Sequence, residues 1–256
     1  MGTFEGQVAF VTGAGSGIGY AMALDLAAGG AAVMCADINE QSAQATAARL
    51  EEQGGTAAAL GLDVVDSAAV KDALERTRTD FGGLHIVMNN AGVGGSGHGW
   101  AQTTDVNLDG VFFGLKHACP MLAESGGGAV VNTASIAGLN ALVRPAQYDE
   151  DPTLLEGISA YVAAKHGVVG LTRQFAVAFA RRGVRVNAVC PGYIVTPMTA
   201  PAREPQGGTE FLESLHPMGR LGDAREVASV AAFLASKAAS FVTGTAVPVD
   251  GGYSAR

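Results

Sequence analysis

The chain has 256 residues, 48% of them hydrophobic and 16% charged, with 36 glycines and a formal net charge of −8. That length supports one large unit with a well-buried core, and the acidic balance argues against a surface built for nucleic acid. Cys35, Cys119 and Cys190 form no CxxC pair, and the histidines show no metal-binding spacing, so reduced thiols in a cytoplasm and no metal are expected. No apolar run reaches the ~18 residues of a membrane span, and Met1 to Gly6 lacks the pattern of a signal peptide.

Gln7 to Thr12 is a short apolar run that stops at a glycine cluster, which predicts a buried strand and a tight turn. The turn, Thr12-Gly13-Ala14-Gly15-Ser16-Gly17-Ile18-Gly19, opens an Ala/Leu-rich helix to about Ala28. Free backbone N–H groups and the positive end of the dipole at such a helix start suit a pyrophosphate, and glycines let it come close. The spacing is T-G-x-x-x-G-x-G and not G-x-G-x-x-G, because Ile18 stands where the last glycine of the latter would fall. Ala31 to Ala36 is the second expected strand, closed by Asp37. A carboxylate roughly 20 residues beyond the glycine turn can accept hydrogen bonds from both adenosine ribose hydroxyls and repel a 2′-phosphate. No Lys or Arg lies between Gly13 and Gly19 or beside Asp37, so NAD is the expected cofactor over NADP.

A helix over Glu40 to Gln53 ends at Gly54-Gly55. A strand from Thr56 to Leu62 runs into Asp63-Val64, and a helix follows from Ser67 to Phe81. Leu84 to Met88 is the fourth strand, leading into Asn89-Asn90-Ala91-Gly92. Strands alternating with helices at this spacing imply right-handed crossovers. The expected fold is a Rossmann-like, doubly wound parallel α/β sheet of about seven strands with helices on both faces, in a single domain over 1–256.

Trp100 to about Ala123 reads as one long helical segment with Asn107 inside it, and Val130 to Thr133 as a strand ending near Ser135. Asn140 to Gly157 reads as an enlarged loop holding Tyr148, Asp149, Glu150, Asp151 and Glu156. Ser159 is a candidate cap for a helix that carries Tyr161 and Lys165 and runs to about Arg182. Residues four apart share a helix face, so Tyr161 and Lys165 present a phenol and an ammonium to the same space. A fixed cation nearby lowers a phenol's pKa, which would let the pair exchange a proton near neutral pH. Val184 to Val189 is the sixth strand, and Pro191, Gly192, Ile194 and Thr196 follow it. Pro197 to Gly222 holds a short helix at best; Ala224 to Ser236 is helical and Thr245 to Val249 is the last strand.

The ordered set Thr12-Gly13-x-x-x-Gly17-x-Gly19, Asn89-Asn90-Ala91-Gly92, Asn107, Ser135, Tyr161-x-x-x-Lys165 and Pro191-Gly192 resembles the short-chain dehydrogenase/reductase family, of the compact, non-extended type. The resemblance covers Thr12 to Gly252. It implies Tyr161 as the general acid/base, Lys165 as its activator and a ribose ligand, Ser135 on the substrate oxygen, and Asn107 holding a relay water. It further implies Gly13, Ser16, Gly17, Ile18 and Gly19 around the pyrophosphate, Asp37 on the adenosine ribose, and Asp63 and Val64 beside the adenine. Asn90, Ala91 and Gly92 would border the cofactor, Pro191 and Gly192 would lie against it, and Ile194 and Thr196 would hold its carboxamide.

The implied activity is NAD-dependent interconversion of a small-molecule secondary alcohol and its ketone, by a homo-oligomer, dimer or tetramer. A 3-oxoacyl carrier-protein reductase, a sugar or polyol dehydrogenase, and a nucleotide-sensing protein with a relic site are the alternatives. Two spacings depart from the family's habit. Asn89 and Asn107 are 18 positions apart, which is short, and Ser135 and Tyr161 are 26 apart, about twice the usual. Tyr148 falls near the usual spacing from Ser135 but has Pro152, not Lys, four residues on. The enlarged loop is expected to line the substrate pocket through Tyr148 or Leu154-Leu155, in space that a shortened Gly94 to Gly99 segment leaves.

Overall fold

The computed structural model describes residues 2–142, 152–204 and 206–256. The first half alternates strand and helix: β1 Val8–Thr12, α1 Gly17–Ala28, β2 Ala32–Asp37, α2 Glu40–Glu52, β3 Thr56–Gly61, α3 Ser67–Phe81 and β4 Ile86–Asn89. Then come α4 Trp100–Thr104, a π-helical turn Asp105–Asp109, α5 Gly110–Glu124, β5 Gly128–Thr133 and the long α6 Pro152–Phe179. The chain closes with β6 Val184–Pro191, two short helices, α7 Ala200–Arg203 and α8 Gly208–Ser214, then α9 Ala224–Ala235 and β7 Ala246–Val249.

All seven strands run parallel in the order β3-β2-β1-β4-β5-β6-β7. The order reverses between β1 and β4, and in an open parallel sheet the ligand crevice opens beyond the strand ends at that point. The central strands are buried on both faces because helices cover both. On one face Leu74, Leu115, Leu122 and Val168 of α3, α5 and α6 pack together. On the other, Met22, Leu26, Leu50, Val227 and Leu234 of α1, α2 and α9 do so. Fully burying one such side chain contributes about 1.5–3 kcal/mol, which is what anchors each layer.

Local chemistry sets the helix starts. Asn39 caps α2 through Ser42, and Asp66 caps α3 through Ala68 and Ala69. Asp223 and Glu226 form a reciprocal capping box on α9. Gly82, at φ 74°, ends α3 in the left-handed region that favours glycine.

Three sequence-based expectations need correction. The segment before Tyr161 is not loop as far as Gly157, because α6 begins at Pro152. Proline is excluded from helix interiors but suits the first helical position, where no partner for its missing N–H is required. Ser159 therefore lies inside α6, exposed, and does not start it. The Asn107 segment is also interrupted, by the π turn, a feature that inserts an extra residue and re-aims side chains. Tyr148 and the acids Asp149, Glu150 and Asp151 lie outside the described residues.

Cys35, Cys119 and Cys190 are all free and buried. Burial pushes the thiols of Cys35 and Cys119 up to about 12 and that of Cys190 to about 11, from an ordinary 9.0. Below the ordinary value both folded and unfolded chains keep these protons. Above it only the unfolded chain releases them, so stability falls as pH rises. Each thiol takes about 1.4 kcal/mol per pH unit in that window. The melting temperature is expected to drop steadily between pH 9 and 11, and Cys35→Ala should flatten that slope by about one proton's worth. A slope unchanged by the substitution would show that the thiol is not held protonated.

Candidate active site

The site lies at the carboxyl ends of β1, β4, β5 and β6. After β1 the chain turns through Gly13 and Gly17, at φ 65° and 54°. A Cβ on Gly13 would stand 2.9 Å from Ala91 Cα, so the turn and the loop after β4 touch only because that side chain is missing. Ser16 occupies the N-cap of α1 without making a capping bond, and no acid sits in the first turn. The helix therefore offers its N-terminal N–H groups and dipole to an anion. Gly19 plays a different part: a Cβ there would lie 2.1 Å from the Gly13 carbonyl oxygen, so it lets α1 pack on the turn.

Asp37, at the end of β2, is aimed by two backbone bonds. Its Oδ2 accepts from Gly15 N–H and its Oδ1 from Asn39 N–H, both at 2.9 Å. Each oxygen keeps a lone pair for a further donor. Asp63 and Val64 follow β3 on the same cavity wall.

A polar knot ties the strand ends together. Thr12 Oγ1 accepts the N–H groups of Asn90 and Ala91, both at 3.0 Å. Asn90 Nδ2 donates to the Thr12 carbonyl at 3.1 Å, and Asn90 Oδ1 accepts from Thr133 Oγ1 at 3.1 Å. The Thr133 carbonyl then accepts Lys165 Nζ at 2.8 Å. Asn107, fully buried, clamps Val93 from both sides: Oδ1 accepts its N–H at 3.1 Å and Nδ2 donates to its carbonyl at 3.0 Å. A Cβ on Gly92 would stand 2.7 Å from Asn107 Oδ1 and 3.7 Å from Lys165 Nζ, so glycine there lets the three residues meet.

Ser135 caps the short 3₁₀ turn Ile136–Gly138 after β5, its Oγ accepting Ala137 N–H at 3.1 Å. Ser135 and Tyr161 line the same cavity, with the Ser135 side chain near enough to influence the phenol. Lys165 Nζ lies 5.6 Å from the centre of the Tyr161 ring. Burial pushes the Tyr161 phenol above its ordinary value, with the nearby Ser135 hydroxyl opposing. Burial also pushes Lys165 down to about 8, with Cys190 opposing. This corrects the expected balance: in the protein alone, desolvation of the phenol outweighs the neighbouring cation. Lys165 still carries its charge at pH 7, and the proton rests on Tyr161.

These elements enclose one cavity of about 960 Å³. Gly13, Ser16, Gly17, Ile18, Asp37, Asp63, Val64, Asn90, Ala91 and Gly92 line it at one end. Ser135, Tyr161, Lys165, Pro191, Gly192, Ile194 and Thr196 line it further along. Gly19 and Asn107 sit behind the wall and act through their neighbours. Beyond Tyr161 the walls turn apolar, with Val93, Leu142, Ile158, Phe211 and Leu212. Sequence reasoning missed these walls and also Thr12 and Thr133. Phe211 and Leu212 belong to α8, too short to show a helical period, whereas Thr12 and Thr133 were visible as polar strand ends. Leu155 is 51% exposed and is not part of the cavity wall, contrary to its expected contact.

At about 960 Å³ the cavity has room for a dinucleotide, and its wall includes the uncapped start of α1 and the Asp37 carboxylate. A serine, tyrosine and lysine cluster stands where the chemistry would occur. Fold and site together define an α/β oxidoreductase of the dinucleotide-binding class. Comparison with known proteins agrees. A family model described as enoyl-(acyl carrier protein) reductase matches residues 13–254. A cyclohexanol dehydrogenase from Acinetobacter sp. (strain SE19) is 44% identical over 261 residues, covering 99% of this chain and 97% of the relative. A cis-4-hydroxycyclohexanecarboxylate dehydrogenase from Sinomonas cyclohexanicum is 39% identical over 260 residues, covering 98% of each. The crystal structure of levodione reductase superposes with a TM-score of 0.88 at 37% identity, over 98% of this chain and 99% of that one. A solved relative from Agrobacterium tumefaciens, with bound NADP, has a TM-score of 0.84 at 37% identity over 98% of each chain. The chain belongs to the short-chain dehydrogenase/reductase family, and it is an oxidoreductase acting on alcohols and ketones.

If Tyr161 handles the substrate proton, Tyr161→Phe should lower kcat by about 100-fold or more, the range for loss of a general acid/base. Cofactor affinity, read by fluorescence titration, should change little. A Tyr161→Phe enzyme with near wild-type turnover would remove Tyr161 from the chemistry.

Proposed function

We propose that this enzyme interconverts an alicyclic secondary alcohol and its ketone with NAD as hydride carrier. The observation that carries the reading is that Ser135, Tyr161 and Lys165 meet on the wall of one cavity that also holds the glycine turn, Asp37 and a set of apolar side chains. A bound nicotinamide dinucleotide would supply the hydride acceptor for oxidation or the donor for reduction. Ser135 holds the substrate oxygen beside Tyr161, which takes the hydroxyl proton in one direction and returns it in the other. Lys165, charged and fixed to Thr133, favours the phenolate as the proton leaves and binds the nicotinamide ribose. Asn107, behind the wall, holds Val93 and the Gly92 backbone in place beside Lys165, where a relay water would sit, and Ile194 and Thr196 would hold the carboxamide.

The apolar chamber suits an uncharged hydrocarbon ring, and the names of two relatives carry a cyclohexane ring. Asp37 supports NAD. Its carboxylate, held at the end of β2, would accept the adenosine ribose hydroxyls and repel a 2′-phosphate, and Lys165 is the one cation among the described residues of the cavity wall. Solved relatives hold NADP, so the preference rests on this chain's own side chain. We also infer a reducing, cytoplasmic setting, in keeping with three unpaired buried thiols, and a dimer or tetramer of single-domain chains. Val177 on α6 and Phe241 before β7, at 80% and 103% exposure, are apolar surfaces that such an assembly would cover. Among the described residues no helix is long and apolar enough to cross a membrane, and no metal-ligating cluster occurs.

Cyclohexanol and NAD should yield NADH at 340 nm, with NADP at least about 100-fold less efficient, since opposed like charges cost several kcal/mol. Asp37→Ala should narrow that gap to under about tenfold. Equal kcat/KM with both cofactors in the unmutated enzyme would overturn the NAD assignment, and no turnover of any cyclic alcohol would overturn the substrate class.

A further inference from the structure

The first turns of α6 make contacts that reach beyond the catalytic cluster. Glu156 Oε1 accepts the backbone N–H of Trp100 at 3.0 Å. Trp100 opens α4, and the N-cap position there is Gly99, which makes no side-chain capping bond. The carboxylate of Glu156 thus satisfies an otherwise open donor of a second helix and meets the positive end of its dipole. One residue on, Gly157 lies directly against Gly95. A Cβ on Gly157 would stand 1.7 Å from the Gly95 carbonyl oxygen and 2.7 Å from that of His98. A Cβ on Gly95 would in turn stand 2.6 Å from the Gly157 carbonyl oxygen. The two backbones can approach this closely only because both residues are glycine. The shortened glycine-rich segment and the lengthened start of α6 therefore lock together.

The next residue, Ile158, faces the cavity. It precedes Tyr161 by three positions and Lys165 by seven, so the three share one face of the helix. At 1.5 Å per residue its Cα lies about 4.5 Å along the axis from that of Tyr161. That is roughly the span of a six-membered ring held at Tyr161 by its oxygen. Its β-branched side chain has restricted χ1 freedom and makes a stiff wall.

We propose that Ile158 limits the size of the substrate ring and that Glu156 is the positioning residue that holds it in place. The proposal rests on the alicyclic-alcohol reading above. Glu156 touches neither substrate nor cofactor. It acts by fixing the first turns of α6 against the wall formed by Gly94 to Ser96, so that Ile158 cannot retreat when a larger ring enters.

The test is the ratio of kcat/KM for 4-tert-butylcyclohexanol to that for cyclohexanol, measured with NAD and, in parallel, NADP. Ile158→Ala should raise the ratio about tenfold or more, the scale of discrimination that a few methylenes in an apolar pocket provide. Glu156→Ala should move it in the same direction, through KM for the alcohol and with kcat for cyclohexanol changed less. Glu156→Gln keeps an acceptor for Trp100 and should retain the wild-type ratio. A purely structural role would lower turnover of both alcohols together and leave the ratio alone. Turnover of cyclohexanol with ratios unchanged in Ile158→Ala or in Glu156→Ala would overturn the proposal while leaving the substrate class standing. No turnover of either alcohol by the wild-type enzyme would overturn the substrate class and this proposal with it.

Discussion

The site depends on one buried polar knot at the point where the strand order reverses. Thr12, Asn90 and Thr133 come from the ends of β1, β4 and β5, and each satisfies a polar group of the next. Buried polar groups stabilise a fold only when their partners are all present, so such a knot has one favourable arrangement. It fixes the glycine turn through Thr12, the cofactor-side loop through Asn90 and Ala91, and Lys165 through the Thr133 carbonyl. A second buried chain, Asn89 to Asn132 to Thr172, ties β4 and β5 to α6 one layer behind. The helix carrying Tyr161 is thus held to the sheet by hydrogen bonds as well as by its apolar face.

Holding Lys165 there has an electrostatic consequence. At 3% exposure its ammonium is stripped of nearly all water, and its affinity for the proton falls. The Tyr161 phenol is shifted the other way for the same reason. Burial drives the two groups' proton affinities apart, the ammonium's down to about 8 and the phenol's above its ordinary value. In water the phenol and the ammonium titrate close together, but neither does so near neutral pH. Inside the cleft the phenol keeps its proton, and a further positive charge or hydrogen-bond donor beside its oxygen is what would bring its pKa back down.

Most of the frame was legible from the sequence because its signals are local. Apolar runs of strand length and glycine turns mark their own positions. The glycine spacing placed α1, and the Tyr161–Lys165 interval, set against Pro152 at the same place after Tyr148, singled out Tyr161. What the sequence did not show depends on tertiary context. Pro152 reads as a helix breaker unless it is known to be first in its helix. The π turn at Asn107 leaves no residue pattern of its own. Phe211 and Leu212 sit on a helix of seven residues, shorter than two full periods. The direction of the Tyr161 shift required the depth of its hydroxyl, which no spacing encodes.

The walls and the floor of the cavity are built by different physics. The floor consists of directional bonds between strand ends, where moving one partner leaves another unsatisfied at a cost of about 1–3 kcal/mol. The substrate walls come from Leu142, Ile158, Phe211 and Leu212, held mainly by apolar contact, and such contacts tolerate changes of size at modest cost. Gly94 to Ser96 is a part of the wall built largely of backbone, and the segment to Trp100 is held by Gly157 and Glu156 from the helix that carries the chemistry. The lengthened and the shortened segments are therefore one adjustment. A wall built by residues one turn from Tyr161 can alter the shape of the chamber without touching Thr12, Asn90 or Thr133. Substrate choice can then vary on this fold while the proton machinery stays where the sheet puts it.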